Sequence, residues 1–117
     1  MKEAQITLKI SLDDKALPEK IDWAASDADF DGFKAADAMM VSLWDKHEKS
    51  SLSIDLWTKD MTVRDMNVFF YEKLIQLSET YERATSQPEL AATFLEFAKE
   101  FAKRAEDWAK KQGEQNG

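Results

Sequence analysis

The sequence predicts an α+β fold: a four-stranded antiparallel sheet followed by two long helices (ββββαα), with the helices packed on one face of the sheet. Apolar residues alternate with polar ones through the first half of the chain, and in the second half they recur at three- and four-residue steps. Elements segregated in this order build an antiparallel sheet covered by helices, whereas alternating strands and helices build a parallel one. At 117 residues, with 44% hydrophobic and 11% aromatic side chains, the chain fits one domain, 1–117, and can bury about two-thirds of its unfolded surface.

Each element follows from its own pattern. In residues 4–12, Ala4, Ile6, Leu8, Ile10 and Leu12 face one way and Gln5, Thr7, Lys9 and Ser11 the other, a strand with one wet face. A second strand, 20–25, alternates Ile21, Trp23 and Ala25 against Asp22 and Ala24, with Pro18 just ahead of it, where a missing N–H is tolerated. An acidic loop, roughly 26–36, comes next. Strands 38–45 and 51–58 flank the polar turn "KHEKS", a connection of hairpin length. Any register that keeps their aliphatic faces together (Met39, Val41, Leu43 with Leu52, Ile54, Leu56) sends Met40, Trp44 and Trp57 to the second face.

From Met61 the period becomes helical. Thr62 can cap the N–H of Asp65, and Val63, Met66, Phe70, Leu74, Leu77, Tyr81 and Ala84 form a stripe, giving a helix over 63–85. In "SQPEL", Ser86 reads as an N-cap, Pro88 lies in the first turn and Glu89 follows three residues after the cap. The second helix, 87–110, carries Leu90, Phe94, Phe97, Phe101, Ala105 and Trp108 as its stripe, and residues 112–117 are expected to fray.

Composition excludes several functions. There is no cysteine, hence no disulfide, thiolate nucleophile or cysteine-ligated metal. Net charge is −7, with eight acids against three lysines in residues 13–37, a field that repels nucleic acid and anionic lipid. The N-terminal "MKEAQITLKI" lacks the apolar core of a secretory signal, and no apolar run approaches the ~20 residues of a membrane span, so a cytoplasmic chain without membrane insertion is expected. Walker A, GxGxxG, GxSxG and HExxH motifs are missing, and the one histidine, His47, stands alone in a polar turn. No enzyme, catalytic residue or cofactor is expected.

Two features remain as candidate sites. "DADFDG" places Asp27, Asp29, Asp31 and Gly32 at positions 1, 3, 5 and 6 of an EF-hand calcium loop. Position 12, which should be a bidentate Glu, is Ala38, and the flanks read as strands rather than helices. A solvated acidic turn competes with a calcium-responsive module. The second feature is the Met40, Trp44 and Trp57 face, with Phe69 and Ile75 beside the first helix's stripe. Cover by the fold or a subunit competes there with a protein-binding patch, since large apolar groups exposed together mark interfaces.

The blocks "LPEKIDW" at 17–23, "VSLWD" at 41–45, "IDLWTKDM" at 54–61 and "FFYEKLIQLSETYERAT" at 69–85 resemble GldC, the small gliding-motility protein of Bacteroidota, over roughly residues 4–105. That resemblance implies a soluble, cytoplasmic, non-enzymatic accessory to gliding and the secretion machinery linked to it, with a protein partner and no functional residues to carry over. Topologically, four strands then two helices in an acidic chain are also similar to the SecB type of export chaperone, an oligomer that holds unfolded clients in apolar grooves. A homo-oligomer or a holdase follows by that analogy alone.

Overall fold

The structure is a computed structural model that describes residues 2–116. It divides into two compact units, one ending at Met61 and one beginning at Thr62.

The first unit holds five strands: β1 (Ile6–Leu12), β2 (Pro18–Ala25), β3 (Lys34–Ala36), β4 (Ala38–Trp44) and β5 (Ser51–Trp57). They form a three-stranded antiparallel sheet, β1-β2-β3, and a two-stranded ribbon, β4-β5, rather than the single four-stranded sheet that alternation suggested. The difference is made at one residue. β3 and β4 are successive segments of the same extended run, broken only at Asp37, so the run pairs first with β2 and then with β5. Asp37 is held at this switch by Thr58, whose N–H donates to the Asp37 carbonyl at 2.8 Å and whose hydroxyl donates to the Asp37 carboxylate at 3.2 Å. Thr58 is itself buried, and its Oγ1 also accepts from the Asp60 N–H at 3.3 Å. An extended chain fixed on both sides of a bend cannot keep one continuous ladder, and two sheets result.

β3 falls in what reads as loop 26–36. With only three residues it is too short to alternate visibly, and its pairing is Ile21↔Ala36, Asp22↔Ala35 and Trp23↔Lys34. Pro18 is the first residue of β2 and pairs with Leu12 across a bulge at Ser11/Leu12, a position where its missing N–H breaks no ladder. Between β1 and β2, the Asp13 carboxylate accepts the N–H groups of Lys15 and Leu17. The deepest apolar side chain of this unit is Ile21, 1% exposed.

The second unit is a helical hairpin of α1 (Val63–Thr85) and α2 (Pro88–Asn116). α1 starts where expected because Thr62 and Asp65 form a reciprocal capping box. Ser86, expected to open the second helix, instead closes the first. It adopts φ 56° and its N–H donates to the Glu82 carbonyl at 2.8 Å, while Pro88 occupies the first position of α2. α2 continues through residues 112–116, where fraying was expected; Gly117 lies outside the described residues.

Small groups set the seam between the helices. Ser78, Ala91 and Ala98 are its buried residues, and the Ser78 hydroxyl donates to the Ala91 carbonyl at 2.7 Å. Tyr81 and Phe94 meet one step along, with ring centroids 5.8 Å apart. Of the two apolar stripes, Met66, Leu74, Tyr81, Phe94 and Phe101 are half-buried, whereas Val63, Phe70, Leu77, Leu90 and Phe97 are exposed.

Candidate functional site

In the β4-β5 ribbon, register fixes what each face presents. One face pairs Ala38 with Trp57, Met40 with Asp55, Ser42 with Ser53 and Trp44 with Ser51. The other pairs Met39 with Leu56, Val41 with Ile54 and Leu43 with Leu52. Met40, Trp44 and Trp57 therefore share a face, as period-two alternation requires. They do not adjoin. Trp57 stands opposite Ala38 and Trp44 lies six residues further along β4, roughly 20 Å at the rise of a strand. The space between them is polar. The Ser42 and Ser53 hydroxyls lie 3.3 Å apart, and Ser53 donates to the Asp55 carboxylate at 3.1 Å. Both rings are open, Trp44 at 66% and Trp57 at 56%, whereas Met40 is half-buried. Phe69 and Ile75 on α1 are also half-buried.

Trp57 borders a cleft of about 390 Å³ within the strand unit. Its apolar lining is Leu17, Pro18, Leu56 and Trp57, and its charged lining is Asp13, Glu19, Asp55 and Lys59, three carboxylates to one ammonium. This volume lies at the small end of the range of ligand pockets and also has room for a side chain of a partner. The composition of the cleft suits an apolar group flanked by a cation.

The opposite face of the ribbon is also open. Leu43, Leu52 and Ile54 are exposed, although their aliphatic alternation reads as a core face. Alternation identifies two faces and does not say which one is covered, so no sequence signal could have found this. The turn joining the strands is polar, with Asp45 accepting the N–H groups of His47 and Glu48, and His47 is exposed.

The acidic loop folds onto aromatics. Phe30 meets Trp23 edge-on at 5.1 Å, the Lys34 ammonium lies 5.4 Å from the Phe30 centroid, and the Lys9 ammonium lies 4.9 Å from that of Phe33. Gly32 supplies the positive φ, 77°, that turns the chain back toward β3. Among the described residues no group of three or more His, Asp or Glu is placed to hold a metal ion, so Asp27, Asp29 and Asp31 are not brought together as a calcium loop would bring them. Strands β2 and β3 flank the loop where an EF-hand has helices.

One ion pair has a resolved electrostatic effect. Arg104 donates to Glu100 at 2.7 Å one turn away on α2, and this hydrogen bond, with the guanidinium charge, holds the Glu100 carboxyl below its ordinary value. The pair is fully exposed and belongs to helix stability rather than to a reaction site. Among the described residues no helix is long and apolar enough to cross a membrane.

No curated protein and no solved structure matches the chain. A profile of the family described as "Gliding motility-associated protein GldC-like" matches residues 18–107, from the first residue of β2 to the sixth turn of α2 and through everything between. The "IDLWTKDM" block that carries Trp57 and the capped start of α1 both lie inside that match, and the chain belongs to the GldC-like family of gliding motility-associated proteins.

Proposed function

We propose that the chain is a non-enzymatic, cytoplasmic interaction module of the gliding apparatus and its linked secretion machinery, which binds a protein partner through the β4-β5 ribbon. The GldC-like family is not a known enzyme family. The observation that carries the reading is the exposure of two tryptophan rings on one ribbon face, one of them beside an acid-lined cleft. Tryptophan is enriched among the residues that dominate interface energies, and isolated rings of this size are costly to leave in water. Trp44 and Trp57 anchor the partner at the two ends of the ribbon, Met40 lies between them, and Asp13, Glu19 and Asp55 favour a partner with a cationic side chain at the Trp57 end.

The test is the double substitution Trp44→Gln and Trp57→Gln in a gliding strain carrying no other copy. The expected result is a protein with unchanged circular dichroism and urea midpoint together with loss of gliding. A variant that unfolds shows the rings to be structural, and a folded variant that glides normally refutes the site.

The exposed aliphatic face of Leu43, Leu52 and Ile54 supports a second reading, a holdase of the SecB type that shields unfolded clients. Suppression of aggregation of a denatured client at stoichiometric ratio is expected under that reading, and the absence of suppression ends it.

A further inference from the structure

We infer that the helical hairpin pairs with the hairpin of a second copy of this chain to make a four-helix bundle, and that the ribbon face stays outside that contact. The proposal goes beyond the partner-binding reading and stands on a different element.

Spacing is the first argument. Val63, Phe70 and Leu77 are separated by seven residues each, as are Leu90 and Phe97, and all five are exposed, Phe97 at 58%. Counted at about 100° per residue from Ser78 on α1 and from Ala98 on α2, these side chains sit roughly 60–100° to the same rotational side of their seams. Because the two helices run antiparallel, equal rotation in the same sense brings both rows to one face of the hairpin. A row that repeats every seven residues keeps to one line along another helix, the periodicity of a helix-on-helix seam rather than of a contact with a pleated sheet. Two helices cannot enclose a core. Four can, and a two-fold axis supplies the other two from one sequence.

Charge selects the occupant. Residues 62–117 hold ten acids and eight bases, against thirteen and eight in residues 1–61. Two identical acidic chains meet with least repulsion through the nearly balanced hairpin, whereas the strand unit favours a cationic stranger.

Light scattering on the full chain tests the proposal. A dimer is expected, and the double variant Leu77→Glu and Phe97→Glu is expected to halve the mass while remaining helical. The control variant Leu43→Glu and Leu52→Glu, on the ribbon, is expected to leave the mass unchanged. A monomeric wild-type protein overturns the proposal, as does a control that dissociates while the helix variant does not. Should the helix variant unfold, carbene footprinting of the unaltered protein across a dilution series decides. Labelling of Val63, Phe70, Leu77, Leu90 and Phe97 rises on dilution if a second copy covers them. Labelling that stays constant means that another part of the same chain, or solvent, covers this face, and the proposal fails.

Discussion

In the strand unit the deepest apolar side chain is Ile21, a large aliphatic on a central strand, whereas in the helical unit the deepest residues are Ala91, Ala98 and Ser78. The strand unit buries volume at one point and leaves its ribbon open on both faces. In the hairpin the fully buried positions are small, and its large apolar groups are half-buried or exposed. One stability argument does not serve both. Around Ile21 the stabilising quantity is apolar area removed from water, about 25 cal/mol per Å², and removing atoms is the damaging change. Along the seam the stabilising quantity is fit between backbones, and adding atoms is the damaging change.

Paired substitutions separate these two cases. Ile21→Ala is expected to lower stability by about 2–5 kcal/mol through lost burial and the cavity left behind. Ala98→Leu is expected to cost about 1–3 kcal/mol by forcing the helices apart. Urea unfolding gives both values, and a stabilised Ala98→Leu variant would break the comparison by showing the seam to be loose. Native-state hydrogen exchange on Ile21→Ala sharpens it. If residues 1–117 fold as the single domain we propose, the slowest helical amides lose protection along with those of β2; if they keep it, the units unfold independently.

Thr58→Val tests the switch between the two sheets. The substitution keeps the shape of a side chain that is 1% exposed and removes the hydroxyl that donates to Asp37, at an expected cost of about 1–3 kcal/mol in the same urea experiment. The helical counterpart is Thr62→Ala, which dismantles the capping box for about 1 kcal/mol. A Thr62→Ala loss larger than that of Thr58→Val would place more of the stability in the hairpin than its thin seam suggests.

The smallest effect is that of Glu100. Because Arg104 lowers its folded-state pKa, the pair adds stability above the unfolded-state pKa of a glutamate, and the contribution disappears as pH falls through the lowered value. Carboxyl NMR titration is expected to show Glu100 ionising below an ordinary glutamate and returning to normal in Arg104→Gln. An identical titration in both proteins would remove the ion pair from the hairpin's account.

The sequence discloses some of these features and hides others for physical reasons. α1 was legible to the residue, 63–85, because a cap and a helical period are local. The facing pairs of β4 and β5 were legible because period-two alternation survives over seven residues. β3 was not, since three residues carry no period, and the bend at Asp37 depends on Thr58, twenty-one positions away. Ser86 misled because Thr-Ser-Gln-Pro satisfies the rules for closing one helix and opening the next. At the candidate site the shared face of Met40, Trp44 and Trp57 was readable, but its polar middle and the cleft at Trp57 were not, because the cleft draws Asp13 and Leu17 from a distant turn. The stripes of both helices are legible as periods, but the division of their members into half-buried (Met66, Leu74, Tyr81, Phe94, Phe101) and exposed (Val63, Phe70, Leu77, Leu90, Phe97) is not, as hydropathy records that a residue avoids water without recording what covers it.

The bend at Asp37 bears on what this chain tolerates in length as well as in composition. Upstream of it the run is registered to β2, and downstream to β5. A deletion or insertion of one residue at this point would leave β3 in register with β2 and turn the β4-β5 ribbon over relative to it, because side chains alternate with period two. The facing pairs within the ribbon would be kept, so Met40, Trp44 and Trp57 would still share a face, presented to the other side. Substitution at position 37 loosens a corner, whereas a single-codon change in length there reverses the recognition surface while every residue of it is retained.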